Sequence, residues 1–191
     1  MKKYQIIYAD PPWKYHMGKD IGKWLQNTAD NHYPCMENEE IYSLPIPKIA
    51  DKNCILFLWA TFPKLSEALE TIKRWGFEYK TIGFVWLKTT KEGKIRTDGV
   101  GWYTTSNAEI CLIAKKGKLK RQKTGVSQLI YYPRVKHSEK PPQVRDKIVE
   151  LMGDLPRIEL FARKENKLFD NFKGWDVWGN EVKSDIELNK I

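Results

Sequence analysis

No apolar run in this chain is long enough to cross a bilayer. The longest unbroken one, Cys54 to Ala60, is about a third of the roughly 20 residues a membrane helix needs. Met1-Lys2-Lys3 leads straight into a strand-like segment and not into a secretory apolar core, so the expected location is the cytoplasm. Cysteine is scarce. Cys35, Cys54 and Cys111 are widely spaced, odd in number and without a C-x-x-C pair, which argues against a disulfide framework or a structural zinc. His16, His32 and His137 show no ligand spacing either, so no metal is expected. Two phosphate-binding signatures are missing as well. No G-x-G-x-x-G follows a strand and no G-x-x-x-x-G-K-[ST] occurs, so hydride and phosphoryl transfer both lose ground.

What is present points to a packed, basic protein. A length of 191 residues suits one well-buried domain spanning 1–191. Eight tryptophans is a high count, and such an aromatic excess serves either a core or stacking surfaces for bases. The net charge of +9 favours a polyanionic partner, nucleic acid first among them. Residues 115–123 concentrate six of the cations, with Lys115, Lys116, Lys118, Lys120 and Arg121 in near succession. Without apolar periodicity this reads as a loop, either a solvated surface or a phosphate-contact patch.

The chain alternates strand-like and helix-like segments. Tyr4–Ala9 is β-branched and aromatic, and 14–35 reads as a long loop. A short helix is expected over Met36–Leu44, closed by Pro45 and Pro47. Cys54–Ala60 has the continuous apolar character of a central parallel strand buried on both faces. Leu65, Ala68, Leu69 and Ile72 then define one face of a helix ending near Gly76. Further strands are expected over 81–87, 108–114, 128–135, 157–162 and 175–178, with a helix between Pro141 and Gly153. This order predicts an α/β fold: one mostly parallel sheet with helices on both faces.

Asp10-Pro11-Pro12-Trp13 directly follows the first strand. In open α/β sheets ligands bind at the carboxyl ends of strands. Neither proline can extend a ladder or a helix, so the chain must turn there. A carboxylate and proline carbonyls form an acceptor cluster beside an aromatic ring, which suits a base with an exocyclic amino group. A second feature is Ile158-Glu159-Leu160-Phe161-Ala162-Arg163, where a carboxylate sits inside an apolar run. A buried Glu159 needs a partner, and a ribose diol or an ion pair with Arg163 or another cation would each serve.

In these motifs the chain resembles the D-P-P-W adenine N6-methyltransferases, the family that includes the catalytic subunit of the eukaryotic mRNA adenosine methyltransferase. The resemblance runs nearly end to end, through Tyr33-Pro34-Cys35-Met36, Leu56-Phe57-Leu58-Trp59, Trp86-Leu87-Lys88 and Glu109-Ile110-Cys111-Leu112. It continues through His137-Ser138-Glu139-Lys140-Pro141, 158–163 and Trp178-Gly179-Asn180. It implies a Rossmann-like methyltransferase fold with the catalytic motif ahead of the cofactor-binding strand, and S-adenosylmethionine as cofactor. Asp10, Pro11, Pro12 and Trp13 are then the catalytic group. Lys140 resembles the lysine that pairs with the cofactor's carboxylate. Tyr8, Asp10, Ser138, Glu159, Phe161, Arg163, Asn166, Asn180 and Glu181 complete the implied cofactor set. Two departures are visible: Glu165 stands where a histidine is usual and Glu181 where a glutamine is.

The implied reaction is methyl transfer to N6 of adenine, with DNA ahead of RNA and a compact bacterial or phage modifier as the model. Trp13 or Tyr15 would stack the base, and Lys115, Lys116, Lys118, Lys120 and Arg121 would contact phosphates. Members of the family often work as homodimers or heterodimers. Two alternatives stay open: a silent or partner-dependent nucleic-acid-binding subunit, and methylation of another amine such as cytosine N4.

Overall fold

A computed structural model describes residues 2–15, 35–99, 101, 103–134, 139–163 and 172–188. In chain order it contains β1 (Tyr4–Ala9), α1 (Asn38–Tyr42), α2 (Ile46–Ile49), β2 (Ala50–Ala60) and, after a 3-10 turn, α3 (Leu65–Arg74). There follow β3 (Glu78–Thr89), β4 (Ala108–Lys116), β5 (Leu129–Pro133), α4 (Gln143–Met152), β6 (Arg157–Leu160) and β7 (Asp176–Trp178). The strands form one sheet in the order β5-β3-β4-β2-β1-β6-β7. Every neighbouring pair is parallel except the two made by β4, which runs against the rest.

The alternation along β2 explains both layers. Leu56, Leu58 and Ala60 face a core shared with Ile41 of α1, Ile46 and Ile49 of α2, and Ala68 and Ile72 of α3. Ile55, Phe57 and Trp59 face the other core, with Val144, Ile148 and Met152 of α4. A strand covered on both faces has no polar side, so it reads as a continuous apolar run. Helices do lie on both faces, and the sheet is mostly parallel. One part of the expectation changes: β2 is parallel to β1 but antiparallel to β4.

Several boundaries move for identifiable reasons. The first helix shortens to Asn38–Tyr42 because Glu37 and Glu40 make a reciprocal capping box. Pro45 and Pro47 close it but also open α2, where a missing N–H costs nothing. β6 stops at Leu160 because Phe161 takes a left-handed φ of 61°. β4 runs on to Lys116, so Lys115 and Lys116 belong to the ladder and not to a loop. Most of the expected long loop, residues 16–34, lies outside the described residues, as do His137, Ser138, Glu165 and Asn166.

Candidate active site

Register brings the motif residues to one edge. Ala9 pairs with Leu58 on one side and with Leu160 on the other. Asp10 and Phe161 therefore leave neighbouring strands at the same level, about 4.8 Å apart in the hydrogen-bonding direction. The turn after β1 is held by its own backbone: Trp13 N–H donates to the Pro11 carbonyl at 2.9 Å and Met36 N–H to the Pro12 carbonyl at 2.9 Å. Each carbonyl keeps a second lone pair.

Behind the turn lies a buried chain of alternating charges. Lys140 Nζ reaches Asp10 Oδ1 at 2.8 Å and Oδ2 at 2.9 Å, and Glu109 Oε2 at 3.2 Å. Glu109 Oε1 accepts from Lys88 Nζ at 2.8 Å. Lys140 also sits 5.6 Å over the Trp59 ring, and Lys88 5.4 Å over that of Trp86. Pro141 and Pro142 place the lysine there, since a residue before proline is held extended and the prolines start α4. Two ammonium groups and two carboxylates cancel, which is the condition for keeping charge out of water.

Glu109 and Lys140 have shifted proton affinities in this network. Burial pushes the Glu109 carboxyl up, but Lys140 and Lys88 outweigh burial and hold it below its ordinary 4.5. Burial pulls Lys140 down, and Asp10 and Glu109 reverse this, holding its ammonium above the ordinary 10.5. A depressed carboxylate stabilises the fold above its unfolded value and loses that contribution as pH falls through the folded one. A raised lysine stabilises below its unfolded value and fails as pH rises through the folded one. Thermal stability is therefore expected to be flat between about pH 5 and 10 as far as this network is concerned. Melting temperatures across pH 2–6 check this: Glu109→Gln should be less stable than the wild type at neutral pH and should flatten the acid limb.

Next to the motif is a cavity of about 240 Å³, lined by Pro12, Met36, Phe161–Arg163 and Trp178–Glu181. Its walls combine Phe161 and Trp178, edge to face at 5.3 Å, with the polar Arg163, Asn180 and Glu181. Apolar walls with a few convergent polar groups are the usual make-up of a small-ligand site. The floor depends on a missing side chain: a Cβ on Gly179 would lie 2.2 Å from the Ala162 carbonyl oxygen. Gly179→Ala must push the two cavity walls apart and is expected to weaken ligand binding there by about tenfold or more, measured by titration calorimetry.

Of the expected cofactor residues, the structure brings Phe161, Arg163, Asn180 and Glu181 together around the cavity, and Asp10 to Lys140 beside it. It places two others elsewhere, and Trp13 of the catalytic motif as well. Glu159 faces α4, where Arg145 holds both its oxygens, Nε at 2.5 Å and Nη2 at 2.9 Å. The cation it needed is Arg145. Tyr8 is buried on the same side, its hydroxyl accepting from Trp59 Nε1 at 2.7 Å and its ring meeting Trp175 edge-on. Trp13 is only 5% exposed and donates through Nε1 to the Trp59 carbonyl at 3.2 Å, so it is core and not an open platform. Tyr15 is nearer the edge, with its hydroxyl 2.5 Å from Thr61 Oγ1. Trp178 lines the cavity.

The basic run is the largest displacement. Because β4 is antiparallel, Ala108 and Glu109 lie at the catalytic edge, where Ile110 pairs with Ala60. Lys116 pairs with Cys54 at the opposite edge, about 20 Å away along the strand. Lys115, Lys116, Lys118, Lys120 and Arg121 are therefore not brought to Asp10. Sequence reading missed Glu109 and Lys88 as members of the site. The signal was available: Glu109 sits in the apolar run 108–114 just as Glu159 sits in its own.

The MT-A70 family model matches residues 4–181. The chain belongs to the MT-A70 family. The charge network and the cavity both lie inside the matched span. Among the relatives of this MT-A70 protein is the Type II methyltransferase M.MunI of a Mycoplasma species, 39% identical over 95% of this chain and 78% of its own length. The human N(6)-adenosine-methyltransferase catalytic subunit METTL3 is 28% identical over 94% of this chain but only 28% of its own length. A Drosophila melanogaster N(6)-adenosine-methyltransferase MT-A70-like protein matches at 28% over 27% of its length. Each is named a methyltransferase, so this MT-A70 protein is a member of a methyltransferase family.

Proposed function

We propose that residues 1–191 form one catalytic domain that methylates N6 of adenine in DNA, using S-adenosylmethionine, in the cytoplasm. The observation that carries this reading is the position of Asp10. Its carboxylate stands at the carboxyl edge of the sheet, paired with Lys140, next to a cavity whose walls suit a nucleoside. DNA is favoured over RNA because the stronger match is to a type II methyltransferase, at 39% identity and over most of that protein's length.

The cavity supports the proposed cofactor on its own terms. Phe161 and Trp178, packed edge to face, would together offer one aromatic wall to an adenine ring, and Asn180, Glu181 and Arg163 offer hydrogen bonds to its polar rim and a ribose. A bound sulfonium donor supplies an activated methyl group that needs no acid to assist departure. The protein's task is then to align the target amine and make its lone pair available. That lone pair is delocalised into the adenine ring, so the free amine is a poor nucleophile. Asp10, with lone pairs left over after Lys140, would accept an amine N–H, and the Pro11 carbonyl would accept the other. Both contacts strengthen as the nitrogen becomes tetrahedral and positive, so they stabilise the transition state more than the ground state, and the surplus N–H proton leaves after transfer, through Asp10 or directly to water. Lys140 acts by orienting the Asp10 carboxylate through contacts to both of its oxygens.

Association with a second copy or a related subunit belongs to this reading; Phe62, Leu65 and Leu69 are exposed along one side of the 3-10 turn and α3. Light scattering of the purified protein reads the assembly directly. The activity is tested by transfer from methyl-labelled S-adenosylmethionine to single- and double-stranded DNA and RNA, followed by nucleoside analysis. N6-methyladenine in DNA above RNA is the expected product. N4-methylcytosine, or no product with nucleic-acid binding intact, would overturn the reading and leave another acceptor or a partner-dependent subunit.

A further inference from the structure

The sheet edge opposite Asp10 carries a charge distribution that the proposed reaction does not use. There Lys52, Lys115, Lys116, Lys118, Lys120 and Arg121 have no ion pair among the described residues. Glu78, Glu150 and Asp154 nearby are committed to Lys80, Lys123 and Arg157, each at 2.5 Å, and Asp51 accepts from the Asn53 N–H, so one carboxylate faces six cations. Uncompensated like charges this close raise the energy of the fold, and a bound polyanion is what relieves them.

The platform that presents them is built and not a slack loop. Gly117 turns with φ +68° tightly against β2, where a Cβ would lie 2.2 Å from the Lys52 carbonyl oxygen. The next N–H, that of Lys118, donates to Asn53 Oδ1 at 2.8 Å. Leu119 packs into the α4-side core while Lys118, Lys120 and Arg121 on either side of it are exposed. At the far end the N–H groups of Gln122 and Lys123 donate to the Leu151 carbonyl near the end of α4, at 2.8 and 3.3 Å. Anchored at both ends, the cations lose little further freedom on meeting a ligand, which favours binding.

We propose that this edge is a second nucleic-acid contact surface, which holds the phosphate backbone of a DNA segment other than the one presenting the target adenine. The inference rests on the proposed DNA substrate. Separation is its physical basis: the two edges are about 20 Å apart through the sheet, and a duplex with a persistence length of about 150 base pairs does not wrap that turn unaided. Contacts here are to phosphates and carry no sequence information.

The test compares the wild type with the triple variant Lys118→Gln, Lys120→Gln, Arg121→Gln, and with the charge-keeping variant Lys118→Arg, Lys120→Arg. Melting temperatures confirm that all three fold. Labelled mixed-sequence duplex of about 12 base pairs, about 40 Å long, is titrated by anisotropy over a range of salt. The wild type and the arginine variant are expected to bind two duplexes. The glutamine variant should bind one, having lost the class whose salt slope is steeper by up to about 2.7. Methylation of the short duplex should be unchanged, while KM on plasmid DNA rises several-fold. An unchanged stoichiometry overturns the proposal. So does an equal loss of methylation on short duplex and plasmid, which would put the run at the target site, or tighter binding to phosphatidylserine vesicles than to duplex. If no polymer is methylated but the glutamine variant still loses one duplex, the proposed reaction falls and this surface stands.

Discussion

Asp10→Ala is expected to lower kcat by about a thousandfold, the scale seen when a group that acts on transition-state charge is removed. KM for DNA should move little, because the lost contact is stronger at the tetrahedral nitrogen than at the planar amine. Single-turnover transfer to an adenine-containing duplex measures the two separately. The variant also strips one partner from Lys140, which keeps Glu109 at 3.2 Å, so a modest fall in melting temperature should accompany the loss of rate. Asp10→Asn discriminates the two effects: it keeps the side-chain shape but presents an amide, and should remain slow. A loss of less than tenfold in kcat would show that another group faces the amine.

The second large effect concerns stability. Arg145 and Glu159 form a two-point ion pair in which each side chain is 10% exposed. Breaking such a pair by removing one partner leaves a charge buried alone, so Arg145→Met is expected to cost about 3–5 kcal/mol. Chemical denaturation reads this as a lower midpoint at an unchanged slope. Replacing both partners, Arg145→Met with Glu159→Leu, should recover most of the loss, since neither charge is then stranded. Cofactor affinity of the refolded double variant should be close to wild type. If Glu159 instead held a ribose, Glu159→Gln would weaken cofactor binding with little change in the denaturation midpoint, and this assignment would fail.

Glu159 shows why part of the site was hard to read. A carboxylate inside an apolar run announces that it is paired, but the pairing residue, Arg145, lies fourteen positions earlier on a helix. Nothing local says which face of β6 the side chain takes. Phe161, two residues on, follows the strand's end at a positive φ and lines the cavity instead. Trp13, expected to stack the base, is core for a similar reason, while Trp178 lines the cavity. Aromatic residues serve equally as core and as cavity wall, and only packing distinguishes them. Glu109 and Lys88 carried a legible signal, charge within strands, but their joining to Lys140 and Asp10 needs β3, β4, β1 and the segment before α4 to meet.

By itself the sequence determined an α/β architecture with helices on both faces of the sheet, because continuous apolar runs mark strands covered on both sides and amphipathic helices follow from local pattern. It determined as well that a carboxylate and two prolines stand at the end of β1, since those residues cannot continue the strand. Only the tertiary structure decided the direction of β4. An apolar run can pair in either direction, and the choice is made by long-range register with β2 and β3. That one choice brings Glu109 to the catalytic edge and carries Lys115, Lys116 and the basic run after them to the far one.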